Sequence, residues 1–190
     1  MADVLLIHGF NINSFGIWYP WLRDQLEEKG DFTVHIPSFP KPSAPLMSEW
    51  IDHLSEEMFG TDSTRPLIII GHSLGGYFVQ RILENTLLDN KQFWKDRLVQ
   101  VYLVAATGFR REKATNFYEP EVDWEKINEN TKNVQFHIIW DKSDNVVPQE
   151  HCEYIHKNCN NSTLHILNNQ NKHFLSKSNN DLLQLFLQNN

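Results

Sequence analysis

Residues 66–79 read Pro-Leu-Ile-Ile-Ile-Gly-His-Ser-Leu-Gly-Gly-Tyr-Phe-Val. A β-branched apolar run, Leu67 to Ile70, meets Gly71-His72-Ser73-Leu74-Gly75, and helix-compatible residues follow. Gly-x-Ser-x-Gly at a strand-to-helix junction is the spacing of a nucleophile elbow. Small residues two positions either side of the serine let the backbones of a sharp turn approach. The turn lifts the Ser73 hydroxyl clear of the sheet. It also aims the first N–H groups of the new helix at negative charge forming beside it. A serine hydroxyl is a poor nucleophile at neutral pH, so it needs a base and a third group to orient that base. Without such partners the motif is only a tight turn that holds a serine.

In a parallel α/β sheet, reactive side chains gather at the carboxyl ends of strands. An acid and a histidine after later strands are therefore the groups to seek. Asp144 follows the apolar run Val134–Trp140, and His173 follows Thr163–Leu167. The order Ser73, Asp144, His173 is the one expected for a sheet of this kind. Asp141, at the end of the fifth strand, is the alternative acid. His72 is expected to point away from the turn, and His8 to support it by hydrogen bonding. His137 and His165 fall within strands, while His35, His53, His151 and His156 are assigned to surface or edge positions. The oxyanion of an acyl-transfer intermediate needs donors as well. The backbone N–H groups of Leu74 and Phe10 are the candidates, with Asn11 as a weaker alternative for the second.

The elements that must hold these groups alternate between strand and helix. Strands are expected at 3–7, 32–36, 67–70, 98–105, 134–140 and 163–167. Helices are expected at 18–29, 46–59, 74–88, 122–129, 149–158 and 179–188. Four prolines between Pro37 and Pro45 fix an extended connection. The stretches 60–65 and 89–97 read as polar connections, the second with Phe93 and Trp94. A longer loop over 106–120, rich in charge and aromatic residues, is expected to lie over the site. Strands apolar almost throughout imply a parallel sheet covered on both faces. The fold class is thus α/β: a three-layer sandwich on a mainly parallel six-stranded sheet, with 1–190 as one domain. Trp18, Phe39, Trp50, Phe109 and Tyr118 are candidates for a hydrophobic acyl pocket. Of the possible contacts, Asn11, Trp18, Tyr118 and Val147 are expected to bind substrate.

Composition narrows the function classes. The chain has 190 residues, 41% hydrophobic and 22% charged, with a formal net charge of −7 and a pI near 5.7. It has no basic footprint for nucleic acid, no apolar run long enough to span a bilayer, and no leader pattern at Met1–Gly9. Cys152 and Cys159 are seven residues apart, about 10 Å along a helix, too far for a bridge. A reducing, cytoplasmic compartment is expected. His151, Cys152, His156 and Cys159 together suit zinc chemically, but a structural zinc wants four ligands and one helix rarely supplies them. No metal and no organic cofactor is expected.

With these pieces in hand the chain resembles an α/β-hydrolase. More narrowly, it is similar to the small serine hydrolase family that includes retinoblastoma-binding protein 9 and the bacterial YdeN-type hydrolases. The matching pieces are His8-Gly9, Trp18-Tyr19-Pro20-Trp21-Leu22, Phe39-Pro40-Lys41-Pro42, Gly71-His72-Ser73-Leu74-Gly75, Asp144-Asn145-Val146-Val147-Pro148 and His173-Phe174. The resemblance implies a compact hydrolase with little or no lid and a triad of Ser73, Asp144 and His173. Retinoblastoma-protein binding does not carry over, and no protein partner is assigned. The expectation is a serine hydrolase acting on a small-molecule ester, thioester or amide through an acyl-enzyme, with carboxylesterase chemistry first. The rival is a binding module that keeps the fold while its chemistry is vestigial. Haloalkane or epoxide chemistry is disfavoured, because those relatives use an aspartate where this chain has Ser73.

Overall fold

The computed structural model describes residues 1–58, 64–84, 94, 96–112 and 114–190. Six strands form one sheet: β1 (Ala2–Ile7), β2 (Phe32–His35), β3 (Leu67–His72), β4 (Leu98–Val104), β5 (Gln135–Asp141) and β6 (Ser162–Leu167). Their order is β2-β1-β3-β4-β5-β6, and every neighbouring pair is parallel. The helices are α1 (Tyr19–Glu28), α2 (Met47–Met58), α3 (Leu74–Glu84), α4 (Trp124–Asn130), α5 (Gln149–Asn158) and α6 (Asn180–Gln188). A 3-10 turn, Thr115–Tyr118, lies within the loop expected over the site. The helical residues expected at 85–88, and most of the polar stretches 60–65 and 89–97, lie outside the described residues.

Strand side chains alternate between faces, and the two cores follow that alternation. Leu5, Ile7, Ile69, Val101 and Leu103 face α2, α3, α4 and α5, with Trp50, Phe78 and Trp124 filling the space between. Val4, Leu6, Ile68, Ile70 and Val104 face α1 and α6, where Trp18, Leu22, Leu183 and Phe186 cover them. This is the three-layer α/β sandwich. Helix α3 is buried along its whole length, so it cannot tilt without disturbing the sheet.

The topology decides where a site can form. After β1 the chain crosses to α1 on one face; after neighbouring β3 it crosses to α3 on the other. The two connections diverge at the strand ends, and a crevice opens between them. No helix among the described residues is long and apolar enough to cross a membrane.

Candidate active site

The tight turn between β3 and α3 is fixed by its glycines. A Cβ on Gly75 would stand 2.5 Å from the Ile7 carbonyl and meet the His8 carbonyl too; one on Gly71 would stand 2.7 Å from the Gly76 Cα. No larger residue fits either place without moving backbone. Ser73, between them, has φ of 54°. A non-glycine residue in that region costs on the order of 1–3 kcal/mol. Here the cost is offset by a buried strand before the turn and a buried helix after it. Ser73 N–H donates to the Val104 carbonyl at 2.9 Å, and the Ser73 carbonyl accepts from Gly76 N–H at 3.0 Å.

His173 and Asp144 meet Ser73 from the later connections. Asp144 Oδ1 accepts from the N–H groups of Val146 (2.8 Å) and Val147 (2.9 Å), which locks the carboxylate in its turn. Oδ2 lies 2.8 Å from His173 Nδ1. A carboxylate only accepts, so Nδ1 carries the proton and Nε2 has a free lone pair. That lone pair lies 2.9 Å from Ser73 Oγ. The Asp144 side chain is fully buried and His173 nearly so. The geometry is therefore hydroxyl, imidazole and carboxylate in a continuous hydrogen-bonded line, with Ser73 and His173 bordering the crevice and Asp144 behind them.

Asp141, the alternative acid, has a different task. Oδ1 accepts from Ser143 N–H and Oγ–H; Oδ2 accepts from Asn171 Nδ2 at 3.0 Å and from the Asn169 and Asn171 N–H groups. Burial works against its charge, but these donors outweigh it and hold its carboxyl below the usual range. Asp141 thus ties the β5 connection to the loop that carries His173. Ser143 Oγ adds a bond from Lys172 N–H at 2.8 Å, and buried Phe174 anchors the far side of that loop.

A second line of hydrogen bonds runs beneath the first. Gly9 N–H donates to Tyr19 Oη at 3.2 Å, Tyr19 Oη–H donates to His72 Nδ1 at 2.7 Å, and His72 Nε2–H donates to the His173 carbonyl at 3.1 Å. One tautomer of His72 satisfies both ends. Burial first, then the neighbouring His173, drives its pKa well below the usual histidine value, so the ring stays neutral. His8 acts alongside it: Nε2 accepts from Phe39 N–H at 3.1 Å, leaving Nδ1–H for the Gly9 carbonyl at 3.0 Å. The two histidines join the turn after β1 to the elbow and to the His173 backbone.

The expected oxyanion donors lie on either side of Ser73. The N–H groups of Leu74 and Phe10 donate to nothing among the described residues, and both residues line the crevice. Asn11 N–H is spent on the Pro42 carbonyl at 2.7 Å, which removes it as the alternative. A profile of the serine hydrolase family matches residues 4–182. The chain belongs to the serine hydrolase family. It is 29% identical over 151 residues to the YdeN protein of Bacillus subtilis (strain 168), covering 77% of this chain and 73% of that one. To the serine hydrolase RBBP9 of Rattus norvegicus it is 29% identical over 117 residues, 62% of this chain and 58% of the relative. The crystal structure of the B. subtilis ydeN gene product superposes with a TM-score of 0.80 at 23% identity, over 99% of this chain and 98% of the other. The esterase EaEST from Exiguobacterium antarcticum shares the fold at a TM-score of 0.64 and 14% identity, over 100% of this chain and 90% of the other.

In this serine hydrolase the crevice is a cleft of about 670 Å³. Asn11 and Tyr118 line it. Trp18 does not. It is fully buried on the α1 face of the sheet, edge-on to Tyr19 and His72, because the helix after β1 lies across the sheet from the cleft. Val147 does not line it either. It points inward, fully buried, and its neighbour Val146 takes the cleft position; the bonds to Asp144 set that alternation. Phe39 and Trp50 stack on each other in the core at 4.6 Å, and Phe109 stacks on His151 at 3.8 Å. His151, expected at the surface, is buried at the cleft wall. The α5 region gathers no group of three metal-ligating side chains among the described residues. Burial pushes the thiols of Cys152 and Cys159 up to about 12 and about 11, and Cys159 lies beyond the last turn of α5.

Sequence reasoning missed Thr107, Arg110 and Arg111 on the cleft wall. Thr107 had a signal, since it follows β4 within three residues and strand ends are where such side chains gather. The arginines had none beyond the charge of their loop.

Proposed function

We propose that this member of the family is a carboxylesterase working through an acyl-enzyme at Ser73. His173 Nε2 takes the Ser73 proton as Oγ attacks the ester carbonyl. The resulting oxyanion is held by the N–H groups of Leu74 and Phe10. His173 then returns the proton to the leaving alcohol, and a water repeats the sequence to free the acid. Asp144 keeps the imidazole in the required tautomer and stabilises its cation. The observation that carries the reading is the unbroken contact from Asp144 through His173 to Ser73 Oγ, at 2.8 and 2.9 Å, opening on a cleft. A fluorophosphonate probe tests it. Labelling of wild type that disappears in Ser73→Ala is expected; labelling that persists in Ser73→Ala would reject Ser73 as the nucleophile. The acyl group is a small or medium one, as a cleft of about 670 Å³ suggests. The buried, closely fitted turn also argues against a vestigial binding module. Strain and unpaired donors beside a hydroxyl serve no purpose in a surface that only docks a partner.

A further inference from the structure

The cleft wall built by the connection after β4 carries a charge that the reaction does not use. Arg110 is engaged at the rim by Glu119 at 2.6 Å. Arg111, also on the cleft, is half-buried and has no carboxylate partner among the described residues. Glu112 lines the same mouth but is exposed and makes no ion pair with it. A guanidinium stays charged at any working pH. Withdrawing it from water without a counter-ion is unfavourable, so an anion that enters the cleft gains what the free protein leaves unmet.

Two neighbours support this. His151 Nδ1 accepts from Gly108 N–H at 3.1 Å, so its proton is on Nε2 and its ring, bordering the cleft, can only donate there. Burial first, and then the Arg111 charge, lower its pKa to about 4, with Glu150 pulling the other way, so the ring is neutral before an anion arrives. Burial raises the pKa of Tyr118, with its bond to Thr107 and then the Arg111 charge working against that rise; its hydroxyl donates to Thr107 Oγ1 at 3.2 Å. Elsewhere on the lining, Phe10, Ile12 and Leu175 offer apolar surface. The lining thus offers surface for methylene groups as well as a charge for a carboxylate.

We propose that the cleft takes esters that carry a carboxylate, with the carboxylate on Arg111 beside His151 and the hydrocarbon part on Phe10, Ile12 and Leu175. This rests on the hydrolase reading above and adds a substrate class to it. Arg111 is then a specificity-determining residue that touches the substrate away from the reacting carbonyl.

The test compares p-nitrophenyl esters of adipic acid (the half-ester) and of hexanoic acid, which share chain length and leaving group. A second pair, 4-carboxyphenyl and 4-carbamoylphenyl hexanoate, puts the carboxylate on the leaving side. Wild type should favour the anionic member of one pair by about tenfold or more in kcat/KM, the range of a charge-assisted hydrogen bond. Arg111→Gln should abolish that preference and leave the neutral esters within about twofold of wild type. Arg110→Gln should keep it. Equal use of anionic and neutral esters in both pairs overturns the inference, as does a preference that survives Arg111→Gln. Turnover of no ester overturns it too. Fluorophosphonate labelling of the same preparation then tells whether the hydrolase reading falls with it.

Discussion

The two ends of the sheet hold similar chemistry and put it to different uses. At the amino end, Asp3 is almost wholly buried, with Arg65 on Oδ1 and Arg97 on Oδ2. At the carboxyl end, Asp144 is equally buried but passes its hydrogen bond outward through His173 to a hydroxyl at the cleft. The first carboxylate is closed off by guanidinium groups at the strand ends. The second leads to an atom that can react. Burial of a charge does not separate structure from chemistry; what its partners face does.

The largest effects should come from breaking the outward line. Ser73→Ala should lower kcat by about 10⁴–10⁶-fold, and Asp144→Asn by about 10⁴-fold through the wrong tautomer. Both should leave the thermal midpoint close to wild type, measured by calorimetry beside an ester assay. Asp3→Asn should do the reverse. Loss of one partner of a buried pair costs roughly 3–5 kcal/mol. The value should fall below that range here, because Arg65 is 34% exposed. Denaturant unfolding would measure it, and kcat should stay within twofold. A large loss of kcat with no loss of stability in Asp3→Asn would erase the distinction between the two ends.

Tyr19→Phe is a smaller and sharper probe. It leaves Gly9 N–H and His72 Nδ1 without their shared hydroxyl, a loss of about 1–3 kcal/mol for buried groups. If the lower line positions His173 and the Phe10 turn, kcat should fall about tenfold with KM nearly unchanged. A drop in stability alone, with normal kcat, would make the line purely structural.

The smallest effect concerns pH. His72 is held well below the ordinary value of 6.5, and His137 and His151 at about 4, in each case chiefly by burial. As pH falls from 6.5 toward 4, the unfolded chain takes up protons that these folded rings refuse. The unfolded state then binds more protons, so stability falls with pH across that window. Thermal midpoints from pH 7 to pH 4 should decline accordingly. His137→Gln should flatten the decline without touching activity.

Legibility followed the same division. The elbow could be read because its demands are local: small residues at 71 and 75, a strand before, a helix after. Asp144 and His173 could be placed because strand ends are recognisable from apolar runs. Trp18 and Val147 could not. Which face a residue takes depends on the crossover of α1 and on a turn organised by Asp144, and neither is visible in a run of residue types. Asp141 looked like a spare acid because sequence does not reveal that Asn169 and Asn171 come back to it. His151 looked exposed because the loop that covers it, with Phe109 stacked on the ring, has no periodicity to read.

In the proposed reaction Ser73 becomes acylated during turnover. Rapid acid quenching of wild type with a p-nitrophenyl ester, followed by peptide mass mapping, tests it most directly. An acyl adduct is expected on the peptide that contains Ser73, formed with the first equivalent of p-nitrophenol and absent from Ser73→Ala. An adduct on another residue, or p-nitrophenol release by Ser73→Ala at the wild-type rate, would contradict it.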